Sequence, residues 1–176
     1  MNENQLWNQC AAFHGHICGG LAIGYQAATY AAKLLNLKSS KDEEVVCITE
    51  NDACGVDAIQ IVLGCTVGKG NLLFRLRGKQ AFSFYNRNSG DSVRLVLKPF
   101  KKSGTKEEVA EQILNSDPAE LFEQTKVKVE VPEHARIFTS IECENCHENT
   151  AESMIYLEQG KRLCKDCYHP YERFGL

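Results

Sequence analysis

The sequence predicts an α+β protein: an antiparallel sheet flanked by helices, with a C-terminal zinc-ribbon or treble-clef module. The observations behind this fold class are helical spacing of apolar residues near the N-terminus, strand-like alternation in mid-chain and two C-x2-C pairs near the end. With 176 residues, 43% of them hydrophobic, the chain is long enough for one well-buried core and a small appendage. We therefore predict an α+β core domain with a His/Cys cleft over residues 1–140, and a four-cysteine zinc-binding module over residues 141–176.

The first half of the core domain is predicted to contain two helices and a strand. Between Gly20 and Leu37 apolar residues recur at helical spacing, and many Ala and Gly residues allow another element to approach closely. The apolar, β-branched segment EEVVCITE, residues 43–50, predicts a buried strand. After a break at residues 51–55, a second and largely buried helix is predicted over residues 56–64.

The second half of the core domain is predicted to be rich in strands. The segments LLFRLR, AFSFYNR and SVRLVLK alternate in strand fashion and predict an antiparallel meander. Thr105 followed by Glu108 predicts a capped helix over residues 105–115, and Pro118 favours the first turn of another helix in DPAELFEQ. The segments KVKVEV and ARIFTSI predict two more short strands. Because helices gather before and after the strands, the expected class is α+β.

Four cysteines near the C-terminus have the spacing of a structural zinc site. The pairs CENC and CKDC are separated by 17 residues, and the intervening MIYLEQGKRL fits a hairpin that brings the pairs together. Four thiolates complete a tetrahedral shell without an open position, so such a zinc stabilises the fold and does not catalyse. The alternatives are an iron centre of the same geometry and four ordinary cysteines. The predicted ligands are Cys143, Cys146, Cys164 and Cys167.

A second candidate site lies in the segment FHGHICGG. His14, His16 and Cys18 alternate along the chain, so in an extended segment all three side chains would point the same way, toward one ion or substrate. If a helix starts at Gly19 or Gly20, Cys18 sits at its N-terminus, where unpaired amides and the helix dipole favour the thiolate. The alternative is that these are ordinary polar residues before a helix.

A third segment, NDACGVDAI, contributes Cys54 and Asp57. On a helix beginning near Cys54, Asp57 lies one turn further and shares its face. An Asp inside an apolar helix is costly to bury unless it is paired or functional. Cys65 is harder to combine with Cys54, because a continuous helix would separate the two by about 16 Å.

The segment GCTVGKG resembles a phosphate-binding loop without meeting its requirements. One residue is missing before Gly68-Lys69, and Gly70 replaces the Ser or Thr that would hold magnesium. The glycines instead predict a tight turn that carries Cys65, Thr66 and Lys69 toward a cleft. The alternative is a solvated turn with an exposed lysine.

Charge and hydropathy exclude several function classes. A net charge of -3 and a pI near 6.0 give no general attraction to nucleic acid or to an anionic membrane, and no uncharged apolar run has the length of a membrane span. The N-terminal MNENQLWNQ lacks the parts of a secretory signal, so we expect a cytoplasmic protein. In that reducing compartment, nine cysteines indicate metal binding or thiol chemistry and not disulfides.

The motifs FHGHICGG, ENDACGVDAIQ and GCTVGKGN, in that order and followed by a CxxC…CxxC tail, resemble the FmdE family, named for the FmdE subunit of formylmethanofuran dehydrogenase. The resemblance implies an α+β core with a C-terminal zinc module, commonly dimeric, and a cleft in which His and Cys residues gather around a metal. Family members generally have Pro after the motif cysteine; Gly19 here loosens the helix start. The cleft implied by the resemblance contains His14, His16, Cys18, Cys54, Asp57, Cys65, Thr66 and Lys69.

Different roles are expected within that set. His16, Cys18 and Cys54 are candidate ligands of a second zinc or another transition metal, and Cys65 and Thr66 are candidate cofactor contacts. The residues with candidate catalytic roles are His14, His16, Cys18, Cys54, Asp57 and Lys69.

The leading functional hypothesis is a metal-binding protein accessory to molybdenum- or tungsten-dependent one-carbon metabolism, acting as a homodimer and serving a molybdenum or tungsten enzyme complex. The parent enzyme reversibly reduces carbon dioxide onto methanofuran at a pterin, and nothing in this sequence provides a pterin site for that reaction alone. A stand-alone zinc- or thiol-dependent enzyme is the first alternative, with zinc in an open site or Cys18 as nucleophile, a neighbouring His as base and Lys69 holding an anion. The second alternative is a regulatory or scaffolding module that acts through its zinc ribbon.

Overall fold

The computed structural model of the chain describes residues 3–101 and 103–173. The chain forms two compact units, residues 1–135 and residues 136–176, so the boundary lies a few residues before position 140. Each unit has a hydrophobic cluster of its own. Within the described ranges, no helix is both long enough and apolar enough to cross a membrane.

The described part of the first unit contains five α-helices, of which the first was not predicted. Helix α1 carries Leu6, Trp7 and Cys10 on one side, and these pack into the main core. The Trp7 ring meets the Tyr25 ring edge-on, with 5.4 Å between centroids. The helices are α1 (Glu3–His14), α2 (Gly19–Leu34), α3 (Gly55–Leu63), α4 (Lys106–Leu114) and α5 (Pro118–Leu121).

Helix α2 is the centre of the helical layer, because its small residues let neighbouring helices approach. A Cβ placed on Gly24 would overlap the carbonyl oxygen of Gly55, so the start of α3 crosses α2 backbone against backbone. On another side, the buried amide of Gln26 donates to the carbonyl oxygens of Ile113 at 2.8 Å and Leu114 at 3.0 Å, which ties α2 to the end of α4. The predicted capping box of α4, formed by Thr105 and Glu108, is present.

The sheet has the order β2-β1-β3-β4-β5, which corrects the predicted meander. Strand β2 pairs in parallel with β1, with Cys47 opposite Leu72, while β3 and β4 form the antiparallel hairpin that the alternation predicts. Helix α3 lies between β1 and β2 in the chain, and such a crossover makes the two strands parallel. The strands are β1 (Val45–Thr49), β2 (Leu72–Phe74), β3 (Ala81–Asn86), β4 (Ser92–Leu97) and β5 (Phe122–Thr125).

Two segments near the end of this unit also differ from the prediction. The helix expected in DPAELFEQ stops at Leu121, because Phe122 begins β5 and pairs with Leu97 of β4. The segment KVKVEV is not a strand. Its residues Val127 and Val129 instead pack on the face of the sheet opposite the helices.

Over its described residues, 136–173, the second unit contains two β-hairpins and one turn of 3-10 helix, Glu152–Met154. The predicted hairpin between the cysteine pairs is present, with its turn at Gln159 and Gly160, both of which have positive φ. Of the segment ARIFTSI, only its last two residues are in a strand. The four strands are β6 (Ser140–Glu142), β7 (Asn149–Ala151), β8 (Tyr156–Glu158) and β9 (Lys161–Leu163).

Candidate metal centres

The four tail cysteines converge as a tetrahedral ion requires. The sulfur atoms of Cys143, Cys146, Cys164 and Cys167 all lie within 4.8 Å of one another. Cys146 Sγ and Cys164 Sγ are 3.9 Å apart, and Zn–S bonds of about 2.3 Å in a tetrahedron separate the sulfurs by about 3.8 Å. The donor set therefore fits a zinc ion with little rearrangement.

The electrostatics of these thiols point to the same conclusion. Backbone N–H groups of Cys146 and Cys164 lower the pKa of Cys143 to about 6, and the Cys164 N–H donates to Cys143 Sγ at 3.3 Å. A backbone hydrogen bond at Glu148 lowers the pKa of Cys146, but burial and the adjacent thiols raise it to about 12. Four neighbouring sulfurs cannot all be thiolates unless a cation is held among them, which a zinc ion supplies.

The second cluster forms where α1 ends and α2 begins. His14 is the last residue of α1, Gly15 turns the chain with φ of 88°, and Cys18 is the N-cap of α2. The alternate spacing suggested an extended segment, but this segment is a turn between two helices. The turn nevertheless brings the three side chains together. One ligand atom each of His14, His16 and Cys18 lies within 4.8 Å of the others, and the two imidazole centroids are 4.4 Å apart.

Asp57 and Gln60 orient the His14 ring. Asp57 Oδ2 lies 2.7 Å from His14 Nδ1, and Gln60 Nε2 donates to Asp57 Oδ1 at 3.1 Å. When the carboxylate accepts a hydrogen bond from Nδ1, the free lone pair is on Nε2, the nitrogen that faces Cys18 Sγ at 4.0 Å. A tetrahedral zinc with Zn–N and Zn–S bonds of usual length needs an N···S separation of about 3.6 Å, so a small side-chain movement suffices.

Cys18 is held by the first turn of α2. The backbone N–H of Leu21 donates to Cys18 Sγ at 3.4 Å, as expected for a cysteine at a helix N-terminus. Cys54 occupies the corresponding position before α3, where burial and then a hydrogen bond with Cys18 raise its pKa. The N-termini of two packed helices therefore each present a thiol to the same region.

A cleft of about 390 Å³ adjoins His14, Cys54 and Asp57. Its lining also includes the apolar side chains of Val67 and Phe74, both of which are exposed. Such a volume suits a small molecule. No sequence pattern indicated Phe74 as a wall residue, whereas Gln60 was recognisable from its i,i+3 spacing to Asp57.

Three residues predicted for the same cleft lie at the other end of α3 and do not line it. Cys65 is fully buried, its thiol donates to Val45 O at 3.6 Å, and burial raises its pKa to about 12. Lys69 Nζ donates to Ser40 O at 3.0 Å, and Thr66 Oγ1 accepts from the Lys69 N–H. Helix α3 is nine residues long, about 13 Å, and that length separates this cluster from Cys54.

Fold and sites together define a small α+β metal-binding protein with a C4-type zinc-finger tail. The tail, residues 136–173, matches the profile of the prokaryotic dksA/traR C4-type zinc finger. Residues 13–148 match the profile described as "FmdE, Molybdenum formylmethanofuran dehydrogenase operon", and the chain belongs to the FmdE family.

Two similar proteins extend this comparison. An FmdE-like protein of the tungsten formylmethanofuran dehydrogenase type from Syntrophus aciditrophicus, of known crystal structure, is 25% identical with a TM-score of 0.68, over 87% of this chain and 88% of that one. A probable S-adenosyl-L-methionine-binding protein of Archaeoglobus fulgidus is 29% identical. That alignment covers 90% of this chain but 51% of the relative, so the chain spans about half the length of that protein.

Proposed function

We propose that this FmdE-family protein is a metal-binding accessory of molybdenum- or tungsten-dependent one-carbon metabolism, and that its core unit holds a second zinc or another transition metal ion. The observation that carries the proposal is the convergence of His14, His16 and Cys18 ligand atoms within 4.8 Å of one another. Imidazole and thiolate together suit zinc and other borderline or soft ions. The description of the family supports the metabolic assignment.

The surroundings of the cluster support metal binding over a purely structural role. His14 is held by Asp57, and Asp57 by Gln60, which is the carboxylate–histidine arrangement that commonly supports a metal ligand. The three converging protein ligands leave one tetrahedral position for a small molecule in the cleft. An ion bound in this way has one exchangeable coordination position, in contrast to one enclosed by four cysteines.

Assembly and location are part of the same proposal. We propose a homodimer that serves a molybdenum or tungsten enzyme complex in the cytoplasm, where reducing conditions keep metal-binding thiols available. Light scattering tests the dimer, and co-purification with a tagged copy tests the complex. A monomer at micromolar concentration would contradict the first expectation.

A zinc- or thiol-dependent enzyme is the second candidate, and the cleft beside the cluster favours it. The chemistry that zinc supplies at an open site is polarisation of a bound substrate. In that case the wall formed by Val67 and Phe74 would bind the apolar part of the substrate, and Asp57 would keep His14 in place.

Metal analysis of the purified full chain tests the proposal. We expect two ions per chain in the wild type. The His14→Ala, His16→Ala, Cys18→Ser triple variant should keep only the tail ion, and the Cys143→Ser, Cys146→Ser double variant should keep only the core ion. Circular dichroism confirms that the triple variant is folded. One ion per chain in the wild type, unchanged by the triple substitution, would remove the core site from the proposal.

A further inference from the structure

Two thiols of the core unit lie side by side at the N-termini of two packed helices. Cys18 is the N-cap of α2 and Cys54 is the N-cap of α3. Their sulfur atoms lie 3.8 Å and 3.5 Å, respectively, from the position that a Cβ on Gly20 would occupy. Because Gly20 has no side chain, nothing from that residue separates the two sulfurs.

The two thiols differ in their access to solvent. Cys54 lines the cleft and is partly exposed, whereas Cys18 is 8% exposed behind it. The remaining cysteines of the first unit, Cys10, Cys47 and Cys65, are fully buried. A small oxidant that enters the cleft therefore meets Cys54 first, with Cys18 as the adjacent second thiol.

We infer that Cys18 and Cys54 form a redox pair, which a hydroperoxide joins as a disulfide and thereby withdraws Cys18 from the core metal site. The inference rests on the metal site proposed above, and it adds the regulation of that site. A sulfur atom engaged in a disulfide has no thiolate charge for a cation, so His14 and His16 remain as the only ligands of the cluster.

The chemistry balances with peroxide as the oxidant. The Cys54 sulfur attacks one peroxide oxygen, so that an S–O bond forms, the O–O bond breaks, and water leaves with sulfenic acid on Cys54. The Cys18 sulfur then attacks the Cys54 sulfur, so that the S–S bond forms and the S–O bond breaks with release of a second water. Two thiols are oxidised by two electrons, and one hydrogen peroxide is reduced to two waters.

The test uses the zinc-loaded full chain treated with hydrogen peroxide. Zinc release is followed with a chromogenic chelator, remaining thiols are blocked with N-ethylmaleimide, and linked peptides are identified by fragmentation mass spectrometry. We expect a Cys18–Cys54 link to form together with loss of the core zinc, and dithiothreitol plus zinc to restore the original state.

Two variants make the test specific. In Cys54→Ser the link is absent and the core zinc leaves at least tenfold more slowly. Cys10→Ser, which changes a buried thiol near α3, behaves like the wild type. Tail zinc release is the same in all three proteins, so the difference between them reports the core ion.

The outcomes also separate this inference from the proposed function. No Cys18–Cys54 link in either the zinc-loaded or the metal-free protein overturns the redox pair, as does equal zinc release from wild type and Cys54→Ser. A protein that binds no core zinc contradicts the proposed function, and the link in the metal-free chain then still tests the thiol pair by itself.

Discussion

Asp57 Oδ2 lies 2.7 Å from His14 Nδ1 and joins two helices that are distant in the chain. His14 ends α1, and Asp57 belongs to the first turn of α3. The contact fixes the rotation of the imidazole, so that its other nitrogen faces Cys18. The carboxylate of Asp57, whose side chain is 35% exposed, thus has a partner in His14, which is the more buried of the two.

Asp57→Asn should weaken zinc binding at the proposed core site about 10- to 100-fold, because the amide holds the His14 ring less firmly and contributes no charge. Competition with a fluorescent zinc chelator measures the affinity. Asp52→Asn changes another carboxylate that lines the same cleft and should leave the affinity within threefold of the wild type. Equal affinities of Asp57→Asn and wild type would show that the contact does not support a ligand.

Gly24→Ala should destabilise the core unit by about 1–3 kcal/mol, because the added methyl group meets the backbone carbonyl of Gly55. Fluorescence of Trp7, the single tryptophan of the chain, follows unfolding of this unit. Gly68→Ala is the control, since a Cβ there has no neighbour within 4 Å. Equal unfolding midpoints for the two variants would contradict the close crossing of α2 and α3.

Arg94→Met should cost about 3–5 kcal/mol at pH 7, because it leaves the carboxylate of Glu50 buried without its partner. Arg94 Nε donates to Glu50 Oε1 at 2.7 Å, and its second contact, from Nη2 to Oε2, measures 2.9 Å. Lys98→Met is the control, because Lys98 is exposed and directly follows β4, the strand that carries Arg94. It should change the unfolding free energy by less than about 0.5 kcal/mol.

The same ion pair makes stability depend on pH. The hydrogen bonds from Arg94 hold the pKa of Glu50 below its ordinary value of 4.5. A lowered folded-state pKa contributes stability above pH 4.5 that is lost as the pH falls through the folded pKa. The difference in unfolding free energy between wild type and Arg94→Met should therefore shrink below about pH 4.5. If the difference in unfolding free energy between the two proteins stayed constant from pH 7 to pH 3, the Arg94–Glu50 ion pair would not be its cause.

Cys164→Ser should remove one zinc per chain and unfold the tail while the core unit stays folded. The buried cluster of the tail contains only Cys143, Leu163 and Cys164 among the described residues, too little apolar surface to hold two short hairpins without the ion. Hydrogen exchange measures the loss of protection in the tail strands against unchanged exchange in α2. The control is His147→Asn, which changes a residue beside the first cysteine pair. This variant should keep the tail zinc, since Asn tolerates the positive φ of that position.

Local patterns were sufficient for several parts of the fold. The Thr105–Glu108 capping box, the position of Cys18 at a helix start and the convergence of the tail cysteines all depend on neighbours in sequence or on fixed spacing. In each case the physical requirement spans only a few residues. That is why a single sequence reveals it.

Long-range pairing explains the parts that were not predicted. Whether β2 pairs with β1 or with β3 depends on the crossover through α3, and the alternation of LLFRLR is the same in both cases. Phe122 begins a strand only because β4 offers it an edge, so its helical context is overridden. The contact between His14 and Asp57 likewise depends on the packing of α1 against α3.

Because the first helix ends on His14, a metal ion at the proposed core site would be thermodynamically linked to the attachment of that helix. An ion that binds only when α1 is docked stabilises the docked state, and docking raises the affinity for the ion by the same factor. Fusions or substitutions far from the imidazoles, for instance at Trp7 where α1 packs on Tyr25, are therefore expected to alter how tightly the ion is held.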